Sequence, residues 1–463
     1  MRLNYFNFKE FNGKMLLTND LGKYIFVEKS DFKRLVSGEI DVSSQVGKEL
    51  IETKMIYNDT DLSFSEENEY MLRNVKGYAA IATSLHIFVV TTACNMNCVY
   101  CQANNGTTCP DSYMNNETAE RAVDIALQSP ETYLTFEFQG GEPLLNYSVI
   151  RHIVEYAEKN KKTHHIEYNI VSNLTVLTDE MVEFFSEYSF GISTSVDGME
   201  EVHNTNRPFK NGKGTFDIVS EKIQIIKSCG LNIGAIETTT ALGLGHAKEL
   251  VRTYADLGFD SIFIRHLTQL GKANKVWDKV GYSADDFLSF YREALDEIIR
   301  LNKKGIYMQE QHAAIFLKSI RGKHMNYMEL RSPCGAGIGQ LAYFSDGRIF
   351  TCDEGRMLAE MGNDSFMLGN VYKDTYQSIM KSGVCRTVCS ASMLETIPSC
   401  CDCVYQPYCG TCPVVNYAIS DDVLEKTPRS YRCQIYEGIL DYIFEMLFKQ
   451  DRDIMDILSR WSE

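Results

Sequence analysis

The sequence has no uninterrupted apolar run of about 18 residues, the length a membrane-spanning helix needs, so no membrane partner is expected. Its opening stretch, MRLNYFNFKEF, lacks the apolar core of a secretory signal, which makes a cytoplasmic, reducing environment the expectation. Positive charge is in deficit too: 46 Lys+Arg stand against 62 Asp+Glu, a formal net charge of −16. Such a surface repels phosphate backbones, and nucleic acid is not expected as a partner. Neither an internal repeat of fixed period nor a low-complexity tract is present. Against these absences stand 15 cysteines in 463 residues. An odd count without a secretory signal fits a disulfide framework poorly and metal or redox chemistry well. The length allows roughly three domains of about 150 residues each.

Phe6, Phe8 and Phe11 run into Asn12-Gly13, a tight hairpin signal, and a second turn at Asn19 to Gly22 precedes Tyr24-Ile25-Phe26-Val27. Ser30 can cap a short helix ending at Gly38, and Ser43 or Ser44 a second one carrying Val46, Leu50 and Ile51. Three strands followed by helices predict a winged-helix-like module, which with a polar, acidic linker at 58–75 makes residues 1–75 the first domain. From 76 to 320 short β-patterned runs alternate with helical ones. Six strands centre on Ile87–Val90, Leu134–Phe138, Ile166–Ile170, Ile192–Val196, Ile233–Ile236 and Ile262–Ile264. The fold class is therefore α/β, a partial (β/α)6 TIM-like barrel whose strand C-termini carry the chemistry. Ser283 and Asp286 form a capping box for a helix striped by Phe287, Phe290, Tyr291, Ala294, Ile298 and Leu301 and ended by Gly305. Residues 321–463 form a C-terminal cysteine-rich domain without regular periodicity until Gln434 to Trp461, which read as one helix with Glu437, Asp441, Glu445 and Lys449 on a solvated face.

Just after the first strand stand Cys94, Cys98 and Cys101, spaced C-x3-C-x2-C with Tyr100 before the last. Structural zinc wants four closed ligands, and Cys109 is the nearest candidate for a fourth. Three thiolates on a tight loop suit a 4Fe-4S cubane better, because they hold three irons and leave the fourth open for a ligand to be activated. This spacing resembles that of the radical S-adenosylmethionine (SAM) enzymes. The later strand ends extend the likeness: Gly140-Gly141-Glu142-Pro143 resembles the family's GGEP turn, Ser172-Asn173 its ribose contact, Ser195-Val196-Asp197-Gly198 its S-x-D-G, and Arg207 its carboxylate-binding arginine. Each alone reads as an ordinary turn or surface charge; together at successive strand ends they point to a site. The resemblance implies that Cys94, Cys98 and Cys101 hold the catalytic cluster and that Tyr100, Gly140, Gly141, Glu142, Ser172, Asn173, Ser195 and Arg207 surround S-adenosylmethionine. Electron transfer through the cluster would then release a 5′-deoxyadenosyl radical that abstracts hydrogen from a substrate.

A second set begins at Cys334, followed by Gly347-x4-Cys352, Cys400-x2-Cys403-x5-Cys409-x2-Cys412 and Cys433. From spacing alone, two zinc ribbons or two iron–sulfur clusters fit. The order resembles the SPASM extension of peptide-modifying radical SAM enzymes, with a last gap one residue shorter than is usual there. That likeness implies two auxiliary 4Fe-4S clusters, one on Cys400, Cys403, Cys409 and Cys433, the other on Cys334, Cys352 and Cys412. Two cubanes offer one more iron corner than these cysteines fill. Gln340 stands where some members have a further cysteine. The open corner falls to Cys385, Cys389 or Cys401, to a substrate thiol, or to nothing, and an open or substrate-occupied iron with Cys401 as an unpaired neighbour is the expectation. Asp353 matches the position of a catalytic base in related enzymes. Cys109 and Cys229 read as small buried hydrophobes, and His164-His165 as solvent-facing.

With the N-terminal module, the chain resembles maturases of His-Xaa-Ser-type peptides in LLTNDLG, FQGGEPL, STSVDG, LRSPCGAGI and DEGRML. The implied partners are a ribosomally made precursor peptide, added as a strand to an exposed sheet edge, and an electron donor such as flavodoxin or ferredoxin. The expected reaction is hydrogen abstraction leading to a crosslink. Sulfatase-maturating oxidation of Cys or Ser and a non-catalytic zinc-ribbon peptide binder are the alternatives.

Overall fold

The computed structural model describes residues 2–57, 69–71, 73–103, 112–323, 326–424 and 429–463. Cys109 and most of the expected linker lie outside the described residues.

The chain opens with β1 (Arg2–Leu3), then β2 (Asn7–Phe11), β3 (Lys14–Thr18) and β4 (Tyr24–Val27) as a three-stranded antiparallel sheet in that order. Asn12 and Gly13 both take positive φ, 48° and 85°, the backbone that a two-residue hairpin turn between twisted strands requires. Helices Lys29–Val36 and Gln45–Glu52 follow, and β5 (Ile56–Tyr57) returns to pair with β1. Ser44 caps the second helix through the Gly47 amide at 3.1 Å. Ser30 lies inside the first helix, which starts at Lys29 directly after β4 and has no side-chain cap. Leu17, Ile25, Val27, Leu35 and Leu50 form this unit's own core.

The six expected strands are all present and parallel, in chain order: β6 (Leu85–Thr91), β7 (Tyr133–Gly140), β8 (His165–Val171), β9 (Gly191–Ser195), β10 (Ile233–Thr238) and β11 (Ser261–Arg265). Helices between them start on side-chain caps such as Asn115 and Thr178. The capping box of Ser283 and Asp286 opens the twenty-residue helix Ala284–Lys303, whose Phe287, Tyr291, Ala294 and Ile298 are fully buried. The sheet extends beyond these strands. β12 (Gln309–Glu310) adds to β11; on the other edge β13 (Gln340–Tyr343) runs parallel to β6, and β14 (Arg348–Phe350) and β15 (Met367–Asn370) continue antiparallel.

Five expectations are corrected here. The stretch after 330 contains those strands and the helices Asp353–Glu360, Gly383–Ala391 and Pro413–Ser420. None exceeds nine residues, too short for periodicity to mark it. The C-terminal segment is two helices, Tyr431–Lys449 and Arg452–Trp461, because Gln450 turns left-handed and Asp451 caps the second through the Ile454 amide. Its charged face is also not simply solvated: Asp441 accepts from Lys9 Nζ at 2.8 Å and Glu437 lies 3.7 Å from it, which docks the N-terminal sheet. Phe26 meets Phe448 at 5.0 Å between ring centroids and Tyr24 meets Phe444 at 5.2 Å, adding apolar contact to the same joint. Cys229 is exposed, contrary to expectation, since it sits at a helix C-cap on the surface. His164 is held by backbone, Nδ1 2.8 Å from Glu131 O, whereas His165 is exposed at the start of β8. No helix among the described residues is long and apolar enough to cross a membrane.

Candidate active site

A cavity of about 730 Å³ opens at the C-terminal ends of the parallel strands. The structure brings Cys98, Tyr100, Cys101, Gly140, Gly141, Ser172, Asn173, Ser195, Arg207 and Asp353 to its wall. Cys94 and Glu142 do not line it. The cysteine loop leaves β6 and is strapped to the segment after helix Glu200–Asn206: Asn97 N donates to Pro208 O at 2.8 Å and Val99 N to Asn206 O at 2.9 Å. Lys272 binds the same loop from the other side, N to Cys101 O at 2.9 Å and Nζ to Cys98 O at 3.2 Å. Burial pushes the thiols of Cys94 and Cys98 up, to about 11 and about 12. These thiols stay protonated at neutral pH until a metal displaces the proton.

Asp197 organises the opposite wall. Fully buried, it accepts from Tyr100 OH at 2.6 Å, Arg207 Nε at 3.0 Å and Asn206 Nδ2 at 3.2 Å. The Arg207 guanidinium lies over the Tyr100 ring, 5.2 Å from its centroid. Arg207 is thus fixed through one nitrogen, and no described side chain bonds its terminal pair, the fork that grips a carboxylate. Tyr100 was expected as a cofactor neighbour; the structure shows what orients it.

The glycine pair at the end of β7 permits close backbone approach. A Cβ on Gly140 would stand 2.1 Å from Thr91 O, and one on Gly141 2.3 Å from Ala93 O. Glu142 points away from the cavity: it accepts from Leu144 N at 3.0 Å, Ser172 Oγ at 2.7 Å and Asn173 N at 2.8 Å. Burial nonetheless pushes its carboxyl up to about 7, against bonds that favour the anion. The Ser172 hydroxyl is spent on Glu142, so this turn presents its backbone and the Asn173 side chain to the cavity. Asn173 Nδ2 also lies 3.0 Å from Asn95 Oδ1, tying the turn to the cysteine loop.

Apart from Asp353, the far wall was not read from the sequence as part of the site. Arg265, at the end of β11, pairs with Glu329 at 2.9 Å, and Arg432 reaches the same carboxylate at 3.4 Å. Against burial, which alone would raise it, those two guanidinium groups hold the Glu329 carboxyl well below the usual carboxylate range. Asp353 receives Arg356 Nε at 2.7 Å, and Arg356 also binds Glu360 at 2.6 Å and Gln139 at 3.2 Å. Glu137, half-buried on the same cavity wall as Asp353, is pushed up to about 7 by desolvation. Position at the C-terminal end of a strand, the rule that found Gly140 and Ser195, would have found Arg265.

Two further thiol sets stand apart from the first. Cys334, Cys352 and Cys412 are buried in one apolar cluster with Phe366, Val388 and Val414. Cys400, Cys403, Cys409 and Cys433 line a separate cavity of about 300 Å³, roofed by Phe8 and Lys9 of β2. Among the described residues no three His, Cys, Asp or Glu side chains converge as ligands of a single ion. In a cubane each thiolate meets its own iron, so its sulfurs stand further apart than around one zinc.

Residues 88–258 match the radical SAM superfamily. The chain is 24% identical to the cysteine-type anaerobic sulfatase-maturating enzyme of Clostridium perfringens (strain 13 / Type A), over 80% of this chain and 99% of that protein. Its fold aligns with a structure described as anSMEcpe with bound AdoMet at a TM-score of 0.70 and 22% identity, covering 82% of this chain and 98% of the other. It also aligns with Streptococcus suis SuiB bound to precursor peptide SuiA, at a TM-score of 0.56 and 14% identity, covering 94% of this chain and all of that one.

Proposed function

The protein is a radical SAM enzyme, its radical SAM domain matched at residues 88–258, and on that premise we propose that it matures a ribosomally made precursor peptide. The observation that carries the reading is the single cavity on which the cysteine loop, the Gly140-Gly141 backbone, Asn173 and Arg207 converge. Cys94, Cys98 and Cys101 would hold the catalytic cluster, and the free fork of Arg207 would take the cofactor's carboxylate. The half-buried thiols, the close-packed glycines and the oriented guanidinium fit this pair of groups. When bound, the cluster and S-adenosylmethionine supply a 5′-deoxyadenosyl radical that abstracts hydrogen from the substrate. The chain's task is to hold the peptide's reacting carbon against that site and to exclude water. Asp353, fixed by Arg356 on the same wall, is the base that would take the proton released as a crosslink closes.

Cys400, Cys403, Cys409 and Cys433 would hold one auxiliary cluster and Cys334, Cys352 and Cys412 another. Residues 1–75 are then a leader-recognition module, 76–320 the catalytic barrel and 321–463 the SPASM domain. The N-terminal sheet leaves β2 and β4 as edge strands, where a leader peptide can add by main-chain hydrogen bonds. An electron donor such as flavodoxin or ferredoxin completes the reading. The second reading, sulfatase maturation by oxidation of a Cys or Ser, draws support from alignment along 99% of the Clostridium perfringens enzyme.

Co-expression with any short open reading frame found beside the gene, followed by tandem mass spectrometry, separates the two. A peptide lighter by two hydrogens and joined between residues supports maturation. An unmodified peptide, together with oxidation of a sulfatase-motif peptide, turns the reading to the alternative. Replacing Cys94, Cys98 and Cys101 by Ala abolishes cofactor cleavage and leaves the auxiliary clusters bound; cleavage surviving in that variant removes the assignment.

A further inference from the structure

The main cavity continues below the turns that face the cysteine loop, down among the parallel strands, where Leu85, Thr135, Glu137 and Asn169 line it. One row of the sheet crosses this floor: Ile87 of β6 lies opposite Glu137 of β7, Glu137 opposite Asn169 of β8, and Asn169 opposite Gly191 of β9. Glu137 stands three residues before Gly140 on the same strand, about 10 Å further down at about 3.3 Å per residue. Gln139 Nε2 donates to Glu137 Oε1 at 2.6 Å, and no described donor bonds Oε2. The Asn169 amide leans over the space that a side chain at Gly191 would take, where a Cβ would stand 2.3 Å from its Oδ1.

Charge is unmatched on this wall. Each arginine has a carboxylate: Arg207 has Asp197, Arg265 has Glu329 and Arg356 has Asp353. Glu137 and Glu354 line the cavity with no cationic partner among the described residues, and of the two Glu137 is the one set within the strands. Its neighbours in the row, Ile87 and Asn169, are uncharged; Asp353, which bears on it from the helix, has the same sign. Arg356 connects to it only through Gln139, whose Oε1 accepts from Arg356 Nη2 at 3.2 Å. Leu85, Ile87, Val171 and Ile236 give the same space apolar sides.

We propose that Glu137 and Asn169 form the seat for a cationic side chain, lysine or arginine, of the substrate peptide. The carboxylate takes the charged head, the Asn169 amide oxygen accepts a further N–H, and the apolar sides cover the methylene stem. Desolvation raises the carboxyl to about 7 in the empty cavity; an adjoining cation favours the anion, so the seat charges as it fills. A neutral side chain of the same length leaves the carboxyl unpaired, which makes the seat a selector of peptide sequence. The inference rests on the reading that the substrate is a peptide.

The test uses the full chain, reconstituted anaerobically with iron and sulfide and loaded with S-adenosylmethionine. Equilibrium dialysis compares the blocked tripeptides acetyl-Gly-Lys-Gly-amide, acetyl-Gly-Arg-Gly-amide and acetyl-Gly-norleucine-Gly-amide. The wild-type protein is expected to hold a cationic tripeptide about tenfold more tightly than the norleucine one, the worth of one charge-assisted hydrogen bond. Glu137→Gln should bind the norleucine tripeptide as the wild type does and lose the preference, whereas Glu354→Gln should keep it. Equal binding of all the tripeptides by the wild type, or binding of none, overturns the proposal, as does a preference that survives Glu137→Gln or disappears in Glu354→Gln. Peptide maturation fails separately, by an unmodified peptide on co-expression, whatever the tripeptides show.

Discussion

Gly271 shows how much one residue outside any recognised motif contributes to the cysteine loop. It sits at φ +59°, and a Cβ there would meet Gln102 O at 2.2 Å. The next residue donates its amide to Cys101 O at 2.9 Å, so this backbone strap presses directly on the third cysteine. Gly271→Ala must relieve the contact by moving backbone, since neither partner is a flexible side chain. The expected cost is about 1–3 kcal/mol of stability, with reduced iron at the first cluster and several-fold slower cofactor cleavage. Iron and sulfide analysis beside a cleavage assay checks this. Full iron and normal cleavage would show that the loop holds its shape without the strap. An isolated glycine carries no signature of its purpose in a sequence, whereas Gly140-Gly141 was recognisable because Glu142-Pro143 followed it.

Between elements, the joint joining the N-terminal sheet to the cysteine-rich region rests on a few directed bonds. Thr18 Oγ1 at the end of β3 donates to Val404 O at 2.6 Å, and Tyr408 OH donates to Gly22 O at 3.0 Å. Thr18→Val keeps the shape and leaves the Val404 carbonyl buried without a donor, a loss of about 1–3 kcal/mol. Faster hydrogen exchange in β3 and β4, with the parallel sheet unchanged, is the expected readout; uniform protection would mean that the aromatic and Lys9 contacts alone fix the joint. Such contacts join residues almost four hundred positions apart and leave no trace in local pattern. By contrast, the strands from Ile87 to Ile264 were legible because each parallel strand is a short apolar run punctuated by capped helices. β13 to β15 were not, because strands of three or four residues carry no period. The break at Gln450 escaped for another reason: the apolar stripe runs through it, and only backbone geometry reveals the turn. At the site, residues borne on motifs were found, while Arg265, Glu329 and Arg432, which assemble from three separate segments, were not.

Across the whole molecule the sheet buries titratable groups of both kinds, and their opposite pH dependences set where the fold is most stable. Glu310, at the end of β12, accepts from Tyr291 OH, from Ala313 N at 2.7 Å and from Ile264 N at 3.3 Å. Burial still pushes its carboxyl from 4.5 to about 7. The folded protein therefore retains a proton that the unfolded chain releases, and this group's contribution is whole below about pH 4.5. It is lost as pH climbs through about 7, a difference of about 3 kcal/mol for a shift of this size. His86 and His312, pushed down to about 3 by burial, act the other way: what they contribute above about 6.5 is lost as pH falls. A stability maximum between the two ranges follows. Glu310→Gln isolates one arm, because a neutral amide imitates the protonated acid and cannot ionise. Between pH 4 and pH 8 the wild-type protein should lose about 3 kcal/mol relative to the variant, read from anaerobic thermal midpoints, with the histidine arm unchanged in both. Parallel curves would mean that Glu310 ionises in place, carried by its three donors. The raised carboxyl would then be no source of the fold's pH dependence.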